Sequence, residues 1–214
     1  MSEAEVRQRY GALADTYIRM FGDVASVDPQ DLAFLKANLG ACEGTVLDVG
    51  CGPGHLTAYL AGLGLDARGL DLVPEFIDTA ASRWPSIEFS VGSLRALDVP
   101  DQSLAGALAW YSLIHCEPTE LTAMLKGLRR AMAPGGTLVV GFFDGDAVEA
   151  FAHKVTTAYR WPVGEMSRML TTAGFTEIDR LQRPGTADIR PHAVLAARVT
   201  TPAQPPLRLS TSPH

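Results

Sequence analysis

Residues 45–55 read TVLDVGCGPGH. Val46 to Val49 form a short β-branched and aliphatic run broken by one carboxylate, Asp48, which is the pattern of a buried strand. Gly50-Cys51-Gly52-Pro53-Gly54 then packs three glycines and a proline into five residues. That composition turns a strand sharply and lets backbone N–H groups approach a ligand closely. A helical pattern follows at once, with Leu56, Tyr59, Leu60 and Leu63 on one face and Gly64 as its stop. Strand, glycine turn and helix, in that order, build a nucleotide pocket at the carboxyl end of a parallel sheet.

Working outward, the segment before this unit is helical. Val6, Tyr10, Leu13, Tyr17 and Phe21 recur at spacings of three and four, which predicts one amphipathic helix ending near Gly22. Asp28 as cap and Pro29 in the first turn predict a second helix through Leu32, Leu35 and Leu39 to Gly40. After the unit, residues 66–72 predict a strand that ends in an acidic residue, Asp71. Pro74 opens a helix that Trp84-Pro85 must break, and residues 87–91 predict a third strand with Gly92-Ser93-Leu94 as its turn. Residues 103–111 predict a fourth strand, 118–132 a helix terminated by Pro134-Gly135-Gly136, and 137–143 a fifth strand.

Strands alternating with helices imply a parallel sheet covered on both faces. The pattern then changes. Residues 144–162 are expected to form a long mixed connection, followed by a helix from about Val163 to Ala173 that Gly174 caps. Residues 175–181 and 193–199 predict two strands joined without a helix, which must therefore run antiparallel. The expectation is one doubly wound α/β domain over residues 1–199, with a disordered tail at 200–214 that holds prolines and no apolar periodicity.

Composition narrows the function. With 214 residues the chain suits one well-buried domain, and its 47% hydrophobic and 20% charged content is that of a globular protein. A formal net charge of −6 and a pI near 5.3 repel phosphate backbones, so no nucleic-acid partner is expected. The densest basic cluster, Lys126 with Arg129 and Arg130, falls late in a predicted helix, where it complements the helix C-terminus. Cys42, Cys51 and Cys116 are odd in number and irregular in spacing, which predicts neither disulfides nor a zinc site and fits a reducing cytoplasm. The opening MSEAEVRQRY has no apolar core behind a basic flank, and no apolar run approaches membrane-spanning length. A cytoplasmic monomer or homodimer is expected, with no membrane and no metal.

The turn itself departs from two familiar nucleotide loops. A dinucleotide turn would read Gly-x-Gly-x-x-Gly, but the sixth position is His55 and the third glycine has moved to Gly54. No Gly-Lys-Ser/Thr follows, as a Walker-type loop would require. VLDVGCGPG, with Asp71 closing the second strand, resembles the first motif of the class I S-adenosylmethionine-dependent methyltransferases, and the resemblance runs from about Tyr10 to Val199. It implies a mostly parallel seven-stranded sheet of order 3-2-1-4-5-7-6, closed by an antiparallel C-terminal hairpin strand. It also implies S-adenosyl-L-methionine as cofactor, with S-adenosyl-L-homocysteine as its product, and residues 1–24 as a lid helix of the small-molecule type.

The resemblance then assigns roles. The backbone of Gly50, Cys51, Gly52 and Gly54 would pass close to the cofactor, and Asp71 would accept hydrogen bonds from both ribose hydroxyls. Asp48 orients the turn or meets the cofactor's ammonium through water. Leu72 and Leu94 would sandwich the adenine. The family often places an acidic residue after the third strand to meet the adenine amino group; here Gly92-Ser93-Leu94 stands instead, leaving Ser93 or a backbone group to accept that bond. Trp110 and Tyr111 suit a cationic sulfonium and a flat acceptor. His115 is the leading general-base candidate, its neutral form being plentiful at neutral pH. Tyr10 and Tyr17 on the lid helix would touch the methionine end or the acceptor, Tyr17 as a catalytic candidate.

His192 would reach the same cleft, because the last hairpin turns at the carboxyl edge of the sheet. His153, with Tyr159 and Arg160 in the connection after the fifth strand, would bind an acidic acceptor group. His55 is expected only to cap the turn. The leading expectation is methyl transfer to an oxygen or nitrogen of a small metabolite by in-line displacement. The alternatives are methylation of a protein or RNA within a complex, or a cofactor-binding module without catalysis.

Overall fold

β1 (Thr45–Val49) lies in the middle of a mostly parallel sheet, pairing in parallel with β2 (Asp66–Asp71) on one side and β4 (Leu104–Trp110) on the other. The computed structural model describes residues 2–186 and 189–200. β2 pairs with β3 (Phe89–Val91) at one edge, and β4 with β5 (Met132–Asp144), both in parallel. β9 (His192–Val199) runs antiparallel to β5 and to β8 (Phe175–Arg183), giving the order β3-β2-β1-β4-β5-β9-β8. This is the expected 3-2-1-4-5-7-6 order, with the last two strands renumbered because two further short strands precede them in the chain.

Strict alternation explains why both faces are covered. Val46, Leu108, Val139, Val194 and Ala196 point to one side, where α3 (Pro29–Leu39) and α4 (His55–Gly62) bring Leu35, Leu39, Leu56 and Leu60. Leu47, Val49, Ala107, Ala109, Leu138, Val140 and Leu195 point to the other, against α6 (Pro118–Ala131) and α7 (Val163–Thr172). Neighbouring residues on a strand face opposite sides, so continuous apolar runs serve two cores at once. Each fully buried leucine contributes about 1.5–3 kcal/mol to this packing. α5 (Pro74–Arg83) follows β2, and its Phe76 joins Val73 and Ala14 in a third, smaller cluster.

Three expectations need correction. The N-terminal helix is two helices, α1 (Glu3–Ala12) and α2 (Ala14–Phe21), separated at Leu13, whose φ of −109° and ψ of 7° leave the helical region. The break carries Leu13 and Phe21 to the surface, while Tyr10 and Tyr17 stay turned inward against Phe76. Pro134-Gly135-Gly136 does not end a helix; it is an irregular excursion inside the long β5, opposite Ala105. Residues 144–162 are no irregular connection but an antiparallel hairpin of β6 (Glu149–Ala152) and β7 (Thr157–Trp161), with His153 in its turn. β7 joins the end of β5 in parallel through Phe143↔Arg160 and Asp144↔Trp161, beyond the point where β4 stops. The sheet is thereby continued over the carboxyl end of β4.

Of the expected disordered tail, Thr200 alone is described, its N–H donating to the Gly174 carbonyl; residues 201–214 lie outside the described residues. Among the described residues no helix is long and apolar enough to cross a membrane. No group of three or more His, Cys, Asp or Glu among them is placed to hold a metal ion.

Candidate functional site

The carboxyl ends of β1, β2 and β4 and the turn after β3 form the wall of a pocket that α1 and α2 close from above. Its empty space, open mouth included, is about 890 Å³. Gly50, Gly52 and Gly54 have φ of 80°, 54° and 83°, a left-handed backbone that side chains rarely adopt. A Cβ on Gly50 would collide with that of Ser112, whereas one on Gly52 would meet the Tyr17 ring across the pocket at 3.7 Å. The turn therefore keeps β1 close to β4 and leaves bare backbone along the cavity floor.

Asp71 ends β2 with its carboxylate anchored by main chain. Its Oδ2 accepts from Gly52 N at 2.8 Å and its Oδ1 from Val73 N at 2.9 Å. Each oxygen keeps a further lone pair, and the 8% of the residue that remains exposed opens into the pocket it lines. Burial raises the Asp71 pKa, and the backbone N–H groups oppose that rise. A fixed carboxylate with spare acceptor capacity on both oxygens suits a vicinal diol. Leu72 and Leu94 supply the flanking apolar surface, and Ser112 Oγ, also on the wall, is buried without a hydrogen-bond partner among the described residues. A ribosyl ligand with a polar tail fits these groups: diol on Asp71, base between leucines, and a polar atom for Ser112.

The other end of the pocket is built around an imidazole. β4 ends at Trp110, whose ring covers Gly141, and Tyr111 follows with φ of 53°, directing its ring to Phe143 at 5.0 Å between centroids. His115 Nδ1 lies 2.8 Å from the Thr157 carbonyl oxygen of β7. A carbonyl can only accept, so Nδ1 carries the proton in the neutral ring. Nε2, 2.7 Å from Tyr10 Oη, then accepts from the phenol of α1. Burial lowers the His115 pKa, partly offset by the Thr157 bond, and keeps the ring neutral at pH 7. Tyr17, packed on Tyr10 and Phe76, has its pKa pushed up to about 12, chiefly by burial.

The remaining sequence candidates fall into two groups. Tyr10, Tyr17, Gly50, Gly52, Asp71, Leu72, Gly92, Ser93, Leu94, Trp110, Tyr111 and His115 all line the pocket. Asp48, Cys51 and Gly54 do not; they are buried behind its floor, where Thr57 Oγ1 donates to Asp48 Oδ2 at 2.8 Å. Desolvation pushes the Asp48 pKa up to about 7, so this carboxyl is only partly ionised at neutral pH.

His153 and His192 stand outside the lining, yet close to it. His153 packs against His115 at 5.5 Å and against Phe143, and His192 against Tyr111 at 6.4 Å. Burial, then the neighbouring His115, Arg190 and Lys154, pushes the His153 pKa down to about 4. Tyr159 is held to the loop after β4 through its N–H on the Ile114 carbonyl, at 2.8 Å. Arg160 pairs with Glu149 at 3.2 Å across the hairpin and lies over Phe151, outside the pocket lining. His55 begins α4 but makes no side-chain cap bond; burial takes its pKa down to about 4.

Glu3, Val6, Phe76 and Ser112 also line the pocket and escaped sequence reasoning. Glu3 and Val6 carried a usable signal, since they share the helical face of Tyr10 at spacings of three and four.

Comparison with known proteins agrees with this geometry. A family model described as a methyltransferase domain matches residues 46–136. The malonyl-[acyl-carrier protein] O-methyltransferase of Pseudescherichia vulneris is 29% identical over 139 residues, 64% of this chain and 53% of that protein. The trans-aconitate 2-methyltransferase of Rhizobium meliloti is 32% identical over 126 residues, 58% of this chain and 47% of that protein. This chain thus spans about half the length of the curated relatives it matches. Among solved structures, the Burkholderia thailandensis 1,6-didemethyltoxoflavin-N1-methyltransferase, with 1,6-didemethyltoxoflavin and S-adenosylhomocysteine bound, superposes with a TM-score of 0.75. Its identity is 25%, covering 94% of this chain and 92% of that one. The glycine turn, the carboxylate ending β2, the sheet order and these matches mark residues 46–136 as a methyltransferase domain within a class I, Rossmann-like fold, of the kind whose cofactor is S-adenosylmethionine.

Proposed function

We propose that this chain transfers a methyl group from S-adenosylmethionine to an oxygen or nitrogen of a small metabolite. The observation that carries the reading is the hydrogen-bond chain Thr157–His115–Tyr10 at the β4 end of an otherwise ligand-shaped pocket. S-adenosylmethionine, when bound, supplies an activated methyl group on a cationic sulfur. Asp71 holds the ribose diol, and the bare backbone at Gly52 with Ser112 Oγ serves the polar tail. Tyr10, Tyr17 and Phe76 exclude water above it, and Trp110 and Tyr111 present aromatic surface to the acceptor.

The chain's remaining task is the acceptor's proton. Tyr10 Oη receives it as its own proton passes to His115 Nε2, and the Thr157 carbonyl steadies the imidazolium that results. Similarity to an O-methyltransferase and to an N1-methyltransferase supports both acceptor atoms. The small-molecule acceptor in the second of these names favours a small acceptor over a macromolecular one.

Calorimetric titration with S-adenosylhomocysteine, followed by measuring its release with a panel of hydroxylated and amino-bearing aromatic acids, tests the reading. Binding in the micromolar range and turnover with at least one acceptor class are expected. Absence of S-adenosylhomocysteine binding, or binding that survives Asp71→Ala unchanged, overturns it.

A further inference from the structure

The pocket ends differently at its two extremities, and one end contains a carboxylate that the sheet does not provide. Asp71 stands on β2, between β1 and the edge strand β3. A ribose held there leaves two directions for the base, toward β3 or toward β4. The β4 end holds the Tyr10–His115 pair, which has work only beside the reacting methyl group. The base therefore lies toward β3, over Leu72 and Leu94, and its edge faces the turn that starts at Gly92.

Into this turn projects Glu3 of α1. A capping box fixes the first turn of that helix: Glu5 N donates to Ser2 Oγ, and Ser2 N to Glu5 Oε2 at 2.9 Å. Glu3, Val6 and Tyr10 then share one face, and all three line the pocket. Ser93 Oγ donates to Glu3 Oε1 and accepts from Arg95 N at 3.0 Å, while the Arg95 guanidinium stands 3.6 Å from the same Glu3 oxygen. With its proton spent on Glu3, Ser93 orients the carboxylate rather than replacing it.

We propose that Glu3 is the acceptor for the exocyclic amino group of the cofactor's adenine, delivered by the covering helix instead of by the loop after β3. This rests on the reading that the pocket takes S-adenosylmethionine. One helix face then touches both ends of the cofactor, Glu3 at the base and Tyr10 at the transfer site. Base recognition and closure of α1 become a single event: a ligand without the amino group forfeits the bond that holds the helix down.

The test uses the full chain and two probes, S-adenosyl-L-homocysteine and S-inosyl-L-homocysteine, which carries a carbonyl oxygen where adenine has its amino group. A carboxylate rejects that oxygen, so the wild-type chain should bind the adenosyl compound about 10- to 100-fold more tightly. Glu3→Gln, whose amide can donate to a carbonyl, should shrink the ratio to within about threefold. Glu3→Asp, keeping the charge on a shorter arm, should preserve the sign of the preference. Val6→Ala, a change on the same face, should weaken both probes equally. A ratio unchanged by Glu3→Gln, or equal loss of both probes in that variant, overturns the assignment and leaves Glu3 as a helix anchor. Tight binding of S-adenosylhomocysteine alongside either result leaves the cofactor reading standing; no binding of either probe to the wild-type chain overturns both.

Discussion

The wall of the pocket and its covers are built on opposite principles. The wall consists of strand ends whose positions are fixed by sheet register, with left-handed glycines and one carboxylate pinned by two backbone N–H groups. The covers, α1–α2 and the β6–β7 hairpin, are held largely by side chains and local pairing; the hairpin joins β5 through two paired positions. A wall of this kind keeps its ligand-facing groups in place whatever sits above it. A cover of this kind can change its acceptor side chains without disturbing the wall. The contrast assigns the ribose-facing carboxylate and the bare glycine turn to the sheet, and the acceptor side, together with the proposed Glu3 contact to the base, to what was added around it.

The largest effect that tests this division should come from His115, where the two covers meet. His115→Ala is expected to lower turnover on a proton-bearing acceptor by about 10²–10⁴-fold while leaving S-adenosylhomocysteine affinity within about threefold. Equal losses in turnover and cofactor affinity would place the imidazole in the wall instead. Because burial keeps His115 neutral, the wild-type rate should stay level from pH 8 to below the usual histidine range before falling in acid.

A smaller effect, on the opposite side of the comparison, should follow Asp71→Asn. Loss of the charge should weaken S-adenosylhomocysteine by about 10- to 100-fold without altering acceptor KM. A shift confined to acceptor KM would contradict the assignment of ribose to β2.

The smallest effect concerns a buried group behind the floor of the pocket. Asp48 has its pKa raised from the usual 3.8 to about 7, mainly by desolvation, with the Thr57 bond opposing. A raised value means that folding favours the neutral form. Its contribution to stability is full below about pH 4 and is lost as pH rises through about 7. Melting temperature of the wild-type chain should therefore drop between pH 5 and 8 by about 3 °C or more beyond the drop in Asp48→Asn. Parallel pH curves for the two proteins would remove the linkage, and a large loss of cofactor binding in Asp48→Asn would return the residue to the site.

What could be read in the sequence follows the same line. Gly50, Gly52 and Gly54 were legible because backbone conformation is a local property and few residues tolerate it. Asp71 was legible from its place at a strand end. The β6–β7 hairpin was not, since EAFAHKVTTAYRW has no glycine or asparagine turn signal and its strands are four and five residues long. The break at Leu13 carries no proline or glycine at that residue, and periodicity ran straight through it. For Asp48 the sequence left two roles open, orienting the turn or meeting the cofactor through water; alternation along β1 directs its carboxylate at Thr57 of α4. Glu3 is 90 residues from Ser93, and such a contact exists only after both covers and wall have assembled.

One consequence concerns the order in which things leave. His115 is bonded on one nitrogen to the hairpin and on the other to α1, so each cover holds the same ring from a different side. In the proposed reaction the proton taken from the acceptor rests on the nitrogen that Tyr10 covers. Lifting α1 bares that nitrogen and opens the mouth of the pocket together. Discharge of the proton to solvent and escape of the products then pass one gate at one time, and a change that slows the lifting of α1 slows both.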